Sequence, residues 1–217
     1  MNLLIVNGSP RGRKSNSDKM LNWLFNGQQS INGISIDKVY AVDRKEREKQ
    51  LKLMEGADSI LVIFPLYTDG MPGITKEIFE EMENMKEGLK GKPVSFVVHS
   101  GFPEPKQSRS VEKYVAHLAA LLDMKYLGTV VMPGSEALSM APESMFKKKF
   151  DSFRQIGNCI IEGRQLDAVA LKMIAGPEVL LPFQIFVMKH VNIGNIFWNR
   201  MLKKNNAFEK RYDRPYK

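Results

Sequence analysis

Residues 7 to 17 read NGSPRGRKSNS and follow the apolar run NLLIV. The stretch holds Arg11, Arg13 and Lys14 without a single carboxylate, bends at Gly8, Pro10 and Gly12, and closes on Ser15-Asn16-Ser17. That composition suits a small anion. A polar turn running into a helix offers unpaired N–H groups and the positive end of the helix dipole, and both favour a phosphate. Two widespread phosphate patterns do not apply. Pro10 stands at the second glycine of GxGxxG, and Arg13 at the second glycine of the P-loop. Ser15, Asn16 and Ser17 fit either of two roles, helix caps or donors to phosphate oxygens.

Two later stretches carry complementary chemistry. In Pro65-Leu66-Tyr67-Thr68-Asp69-Gly70-Met71-Pro72-Gly73 the glycines let backbone approach a ligand closely, Pro72 suits a helix start, and Tyr67 offers a flat face for a ring. His99-Ser100-Gly101-Phe102-Pro103-Glu104 is another bend with an aromatic residue. Tyr67 and His99 are candidates to shape or protonate a second reactant, although a histidine at a strand end is more commonly structural. Asp69 reads as a turn former or as a partner for a ligand amide.

These stretches matter together only if the fold gathers them. Strands are expected at 2–7, 34–39, 58–64, 93–98 and 126–132, with runs such as Ile60-Leu61-Val62-Ile63-Phe64 apolar on both faces. Helices are expected at 17–26, 45–55, 74–85, 110–122 and 143–163; the stripe Ile74, Ile78, Met82 and Met85 has helical spacing. Strands alternating with helices predict an α/β, doubly wound parallel sheet. Ligands of such sheets bind at the carboxyl ends of the strands, where all three stretches fall. A phosphate seat, backbone donors and aromatic walls on one edge fit a phosphorylated planar cofactor.

The sheet domain is expected over residues 1–163, and residues 164–217 read as a helical, basic C-terminal extension. The chain of 217 residues has a net charge of +8, and residues 200–217 alone carry seven Lys or Arg against two acids. A basic end of this kind is expected to be a solvated face, with no nucleic acid as partner. Cys159 is the sole cysteine, which excludes an internal disulfide or a thiolate-held iron–sulfur cluster and suits a reducing cytoplasm. No run approaches the roughly 20 apolar residues of a membrane span.

The motifs GSPRxxxSNS in residues 8–17 and PLYxxxMPG in residues 65–73 resemble those of the NAD(P)H-dependent FMN reductase family, a branch of the flavodoxin-like proteins. The likeness covers residues 1–163. It implies a flavodoxin-like five-stranded parallel sheet, FMN as cofactor and NAD(P)H as reductant. The electron acceptor would be a small molecule such as a quinone, flavin, nitro or azo compound. By the same resemblance Ser9, Arg11, Ser15, Asn16 and Ser17 hold the FMN phosphate, and Arg11 is the foremost charge-assisted donor. Pro65, Leu66, Tyr67, Thr68, Asp69, Gly70 and Met71 line the isoalloxazine, while Ser100, Gly101 and Phe102 close its other side. HSGFPE departs from the plainer Gly-Gly loop of many members, and the cysteine cluster of iron–sulfur flavoproteins is missing. No metal and no obligatory catalytic side chain are implied.

The alternative is an electron carrier of the flavodoxin type. Such carriers are typically acidic, and a pI near 9.5 opposes that reading. The resemblance also implies a homodimer, with the apolar segment from Val179 to Met188 and the residues after it helping to cover the neighbour or the flavin pocket. A membrane surface is the lesser alternative for that segment, because Lys189 and His190 interrupt a run too short to cross.

Overall fold

Strands that are apolar on both faces need helices above and below them, and the computed structural model supplies both layers. It describes residues 2–26, 30–31, 33–139, 143–190 and 193–214. In chain order the elements of the first unit are β1 (Asn2–Asn7), α1 (Asn16–Phe25), β2 (Ser30–Ile31), β3 (Ile34–Tyr40), α2 (Arg47–Gly56), β4 (Ser59–Pro65), α3 (Gly73–Glu83), α4 (Lys86–Leu89), β5 (Pro93–His99), α5 (Arg109–Leu121), β6 (Lys125–Met132), α6 (Lys147–Ile161) and α7 (Ala168–Ala175). The sheet order is β2-β3-β1-β4-β5-β6. Five strands pair in parallel, and only the two-residue β2 joins the edge antiparallel to β3. The five expected strands are found within one residue of their predicted limits. The edge strand β2 and the single-turn α4 are too short to leave a periodic signature, and the sequence reading had neither.

Alternation along β1 divides the core. Leu4 and Val6 enter one layer with Met54, Ile78, Phe79 and Val115, from α2, α3 and α5. Leu3 and Ile5 enter the other with Met20, Leu24, Phe153, Ile156 and Ile174, from α1, α6 and α7. Close packing in this second layer depends on Gly157. A Cβ there would lie 2.2 Å from the backbone oxygen of Leu24, so glycine sets how near α6 comes to α1.

The first compact unit runs to Val179 and the second covers Leu180–Lys217. Helix α7, assigned from sequence to the extension, packs on α6 and β6 within the first unit. The second unit holds α8 (Pro182–His190) and α9 (Ile193–Lys204). Among the described residues no helix is long and apolar enough to cross a membrane.

Candidate functional site

The carboxyl ends of β1, β4, β5 and β6 converge on a cleft lined by Ser9, Arg11, Asn16, Pro65, Leu66, Tyr67, His99, Ser100, Gly101, Ser135 and Glu136. Its first wall is built by Asn7, the last residue of β1, which is fully buried. The Asn7 Oδ1 accepts from the Ser9 amide at 3.0 Å, and its Nδ2 donates to Ser15 Oγ at 3.3 Å. One side chain thereby clamps both ends of the basic loop. Gly8 lies so close to α3 that a Cβ would be 2.3 Å from Thr75 Oγ1, and Thr75 Oγ1 donates to the Gly8 carbonyl at 2.8 Å. These contacts tie the loop to β1, α1 and α3.

Within that loop the serines divide their work. Ser15 Oγ caps α1 by accepting from the Asp18 amide at 3.2 Å. Ser17 is fully buried, and its hydroxyl meets His99 Nε2 at 2.8 Å. Neither serine lines the cleft. Asn16 lines the cleft and donates Nδ2 to the Ser135 carbonyl at 2.9 Å, tying α1 to the segment after β6. Arg11 also lines it, with its side chain 59% exposed and Nη1 3.7 Å from Glu136 Oε1. The pair brings a cation and an anion to the same mouth.

The loop after β4 turns more sharply than Gly70 alone suggests. Tyr67 and Gly70 exchange backbone hydrogen bonds at 3.0 and 3.2 Å, which leaves Thr68 and Asp69 at the corner. Thr68 takes φ +56°, a left-handed backbone that costs a β-branched residue about 1–3 kcal/mol. Strain of this order collects where a loop must present something. Here it presents Tyr67, 46% exposed, so Tyr67 is a surface aromatic and not a core residue. Thr68 and Asp69 are exposed at the tip, and Met71 packs back on the core; none of the three, nor Gly70, lines the cleft.

His99 forms the floor. It is buried at the end of β5, with Nε2 against Ser17 Oγ and Nδ1 against Ser135 Oγ at 2.9 Å. Burial, helped by the nearby Arg11 charge, pulls its pKa down to about 3. The imidazole is therefore neutral and serves as a bridge between the β1 and β6 loops. Beside it Ser100 Oγ is buried without a hydrogen-bond partner among the described residues. An orphaned hydroxyl of this kind is costly unless a ligand or water satisfies it. Phe102, next to Gly101, is exposed.

These features fit a flavin nucleotide. A cation, an unpartnered hydroxyl and a helix N-terminus supply donors for phosphate and ring edges, and the exposed rings of Tyr67 and Phe102 supply flat apolar surface. The cleft itself encloses only about 40 Å³, the space of a water-sized group, so a larger molecule must rest on the loops around its mouth. A wider depression of about 950 Å³ runs around β3 and the start of α2, lined by Arg13, Lys38, Tyr40, Arg44 and Lys49 among others. Four of its lining cations are ion-paired, Arg13 with Asp43, Lys38 with Asp18, Arg44 with Glu77 and Lys49 with Glu46. It shares no lining residue with the cleft.

Of the residues assigned from sequence, Ser9, Arg11, Asn16, Pro65, Leu66, Tyr67, Ser100 and Gly101 meet in the cleft. Ser15, Ser17, Thr68, Asp69, Gly70, Met71 and Phe102 lie behind or beside it. Sequence reasoning did not name Asn7, Ser135 or Glu136. A signal for the last two existed, since Pro133-Gly134 ends a strand whose carboxyl end lies on the same edge.

No curated protein sequence matches this chain. Solved structures share its architecture at low identity. The NADPH-quinone reductase of P. pentosaceus superposes with a TM-score of 0.56 at 18% identity, covering 71% of this chain and 96% of its own. An FMN-dependent NADH-azoreductase from Bacillus anthracis str. Ames Ancestor, in complex with FMN, gives 0.54 at 14%, covering 73% and 98%. General stress protein 14 of Treponema denticola, also in complex with FMN, gives 0.51 at 18%, covering 74% and 95%. Residues 1–155 match the family described as Flavodoxin-like fold. With its parallel strands in the order β3-β1-β4-β5-β6 and its loops gathered at their carboxyl edge, the chain belongs to the flavodoxin-like fold family.

Proposed function

We propose that this protein is an FMN-dependent oxidoreductase that passes hydride from NAD(P)H, through bound FMN, to a small organic acceptor such as a quinone, flavin, nitro or azo compound. The observation that carries the reading is the cleft at the sheet's carboxyl edge. There Arg11, the orphaned Ser100 hydroxyl and the exposed Tyr67 ring stand together in a flavodoxin-like chain. Structural neighbours described as a quinone reductase and an azoreductase support the same chemistry.

When bound, FMN supplies the ring that takes up and gives back hydride; the protein supplies position and field. Arg11 would hold the phosphate by a charge-assisted hydrogen bond, roughly twice as strong as a neutral one. The first turn of α1 adds its N–H groups. Ser100 Oγ would donate to the ring edge, and the flat faces of Tyr67 and Phe102 would shield the ring from water. His99 is no proton donor near neutral pH, because its pKa of about 3 leaves it uncharged. Its role in this reading is to keep the β1 and β6 loops at a fixed separation. A proton needed by the acceptor must come from solvent or from the Tyr67 hydroxyl.

Anaerobic mixing of the FMN-loaded protein with NADH and with NADPH tests this reading. Rapid loss of visible flavin absorbance with at least one nicotinamide, followed by recovery on adding quinone or azo compound, is expected. A protein that binds FMN yet is reduced only by another electron-transfer protein is a carrier, and that result would overturn the proposal.

A further inference from the structure

The second compact unit combines exposed apolar side chains with a dense positive charge. Phe183 is 75% exposed, Phe186 57% and Trp198 62%, with Leu181 and Ile185 also exposed. Apolar area of this extent on a water-facing surface marks a contact with something else. The same 38 residues, 180–217, hold eight Lys or Arg against Glu209 and Asp213, so +6 of the chain's net +8 lies here. Helix α8 has no acidic residue, and α9 ends on Lys203 and Lys204. At the end of α9 and just beyond it, two cations lie beside aromatic rings. Lys203 Nζ lies 4.9 Å and the Arg211 guanidinium 3.9 Å from the Phe208 ring centre, and Arg211 also faces Tyr212.

We propose that residues 180–217 seat this protein on an anionic lipid surface, with the apolar side chains of α8 at the acyl boundary and the cations among the headgroups. Interfacial helices bind through this pairing of apolar area and positive charge, and aromatic residues favour the headgroup level. Charge selects among the possible occupants. A homodimer joined through this unit would bring +6 against +6, whereas an anionic membrane neutralises it. Nucleic acid would satisfy the cations but leave Phe183 and Phe186 in water. Neither α8 nor α9 is long enough to span the bilayer, so the attachment is peripheral and reversible.

The test is sedimentation of the full-length protein with vesicles at about 0.15 M salt. One set is phosphatidylcholine alone, and the other contains roughly one third phosphatidylserine. Co-pelleting with the anionic vesicles only is expected. Lys203→Gln with Lys204→Gln should lower the partition coefficient about 25-fold, near fivefold per cation. Phe183→Ser with Phe186→Ser should abolish pelleting, with thermal melting unchanged because both rings are exposed. Absence of pelleting, or equal pelleting with neutral vesicles, overturns the proposal. A lipid-free dimer in analytical ultracentrifugation that the phenylalanine pair of substitutions dissociates would assign the surface to a second copy instead. DNA binding lost with the lysine pair but kept by the phenylalanine pair, without vesicle binding, would assign it to nucleic acid.

Discussion

Acidification from pH 7 to pH 5 should destabilise this protein through His99. Its ring is buried between Ser17 Oγ and Ser135 Oγ, and its pKa falls from 6.5 to about 3, chiefly by burial and secondarily by the Arg11 charge. Both serine oxygens can accept a hydrogen bond, so protonation need not break either contact. The cost is that of a charge taken out of water. The folded pKa is depressed, so unfolding takes up a proton. The stability this residue contributes is complete above pH 6.5 and is lost progressively as pH falls from there towards 3. Linkage gives a loss of about 2 kcal/mol between pH 7 and pH 5, from 1.36 kcal/mol per pH unit once the unfolded histidine is protonated. Urea unfolding of the flavin-free protein at both pH values measures it, with His99→Gln as the control that cannot acquire the charge. Carboxylates titrate in both proteins and cancel in the difference. The wild type should lose about 2 kcal/mol more than the variant, or roughly 4–8 °C in Tm for a chain of this size. Equal pH dependence of the two proteins, or a His99 ring signal titrating near 6.5 in the folded state, would refute the argument.

Four substitutions probe the remainder. Arg11→Ala should weaken FMN about 10- to 150-fold, the equivalent of about 1.5–3 kcal/mol for a hydrogen bond to a charged group, with melting little changed because the side chain is mostly exposed; unaltered affinity in a fluorescence titration would remove Arg11 from the site. Glu136→Gln withdraws a carboxylate 3.7 Å from Arg11 and should tighten FMN about two- to fivefold, as for an exposed charge pair, whereas weaker binding would mean that the phosphate sits elsewhere. Tyr67→Ala should change the bound flavin's absorption and slow its reduction while costing less than about 0.5 kcal/mol of stability, as surface substitutions do; early melting with normal flavin spectra would contradict this. Gly157→Ala drives a Cβ onto the Leu24 backbone oxygen and should cost about 1–3 kcal/mol or more in thermal or urea unfolding, so an unchanged melt would show that α6 yields easily.

Much of the architecture was legible in local pattern. Runs such as Ile60 to Phe64 are apolar on both faces, and the stripe through Ile78 and Met82 repeats at helical spacing; these are properties of neighbouring residues and need no knowledge of the rest of the chain. From strands alternating with helices, the rule that loops gather at the carboxyl edge brought Arg11, Tyr67 and Ser100 to one place, and the cleft contains all three. The Ser30–Ile31 edge strand escaped because two residues carry no period, and its pairing depends on β3 lying alongside.

The inner surface of the site belongs to tertiary structure. Ser15 and Ser17 are chemically fit for phosphate, yet the rotation of α1 about its axis turns Ser17 onto His99, and the cap geometry spends Ser15 on the helix. That rotation is set by Met20, Leu21 and Leu24 packing into the core and by the glycine contact with α6, not by the loop's own composition. Ser135 and Glu136 join the cleft because β6 pairs in register with β5, placing Met132 beside His99. His99 lies 82 residues from Ser17 and 36 from Ser135, so only the closed sheet brings the three together. Composition and spacing determined which groups are chemically suited to a phosphate and a ring; the packing of helices on the sheet decided which of them line the cleft and which lie behind it.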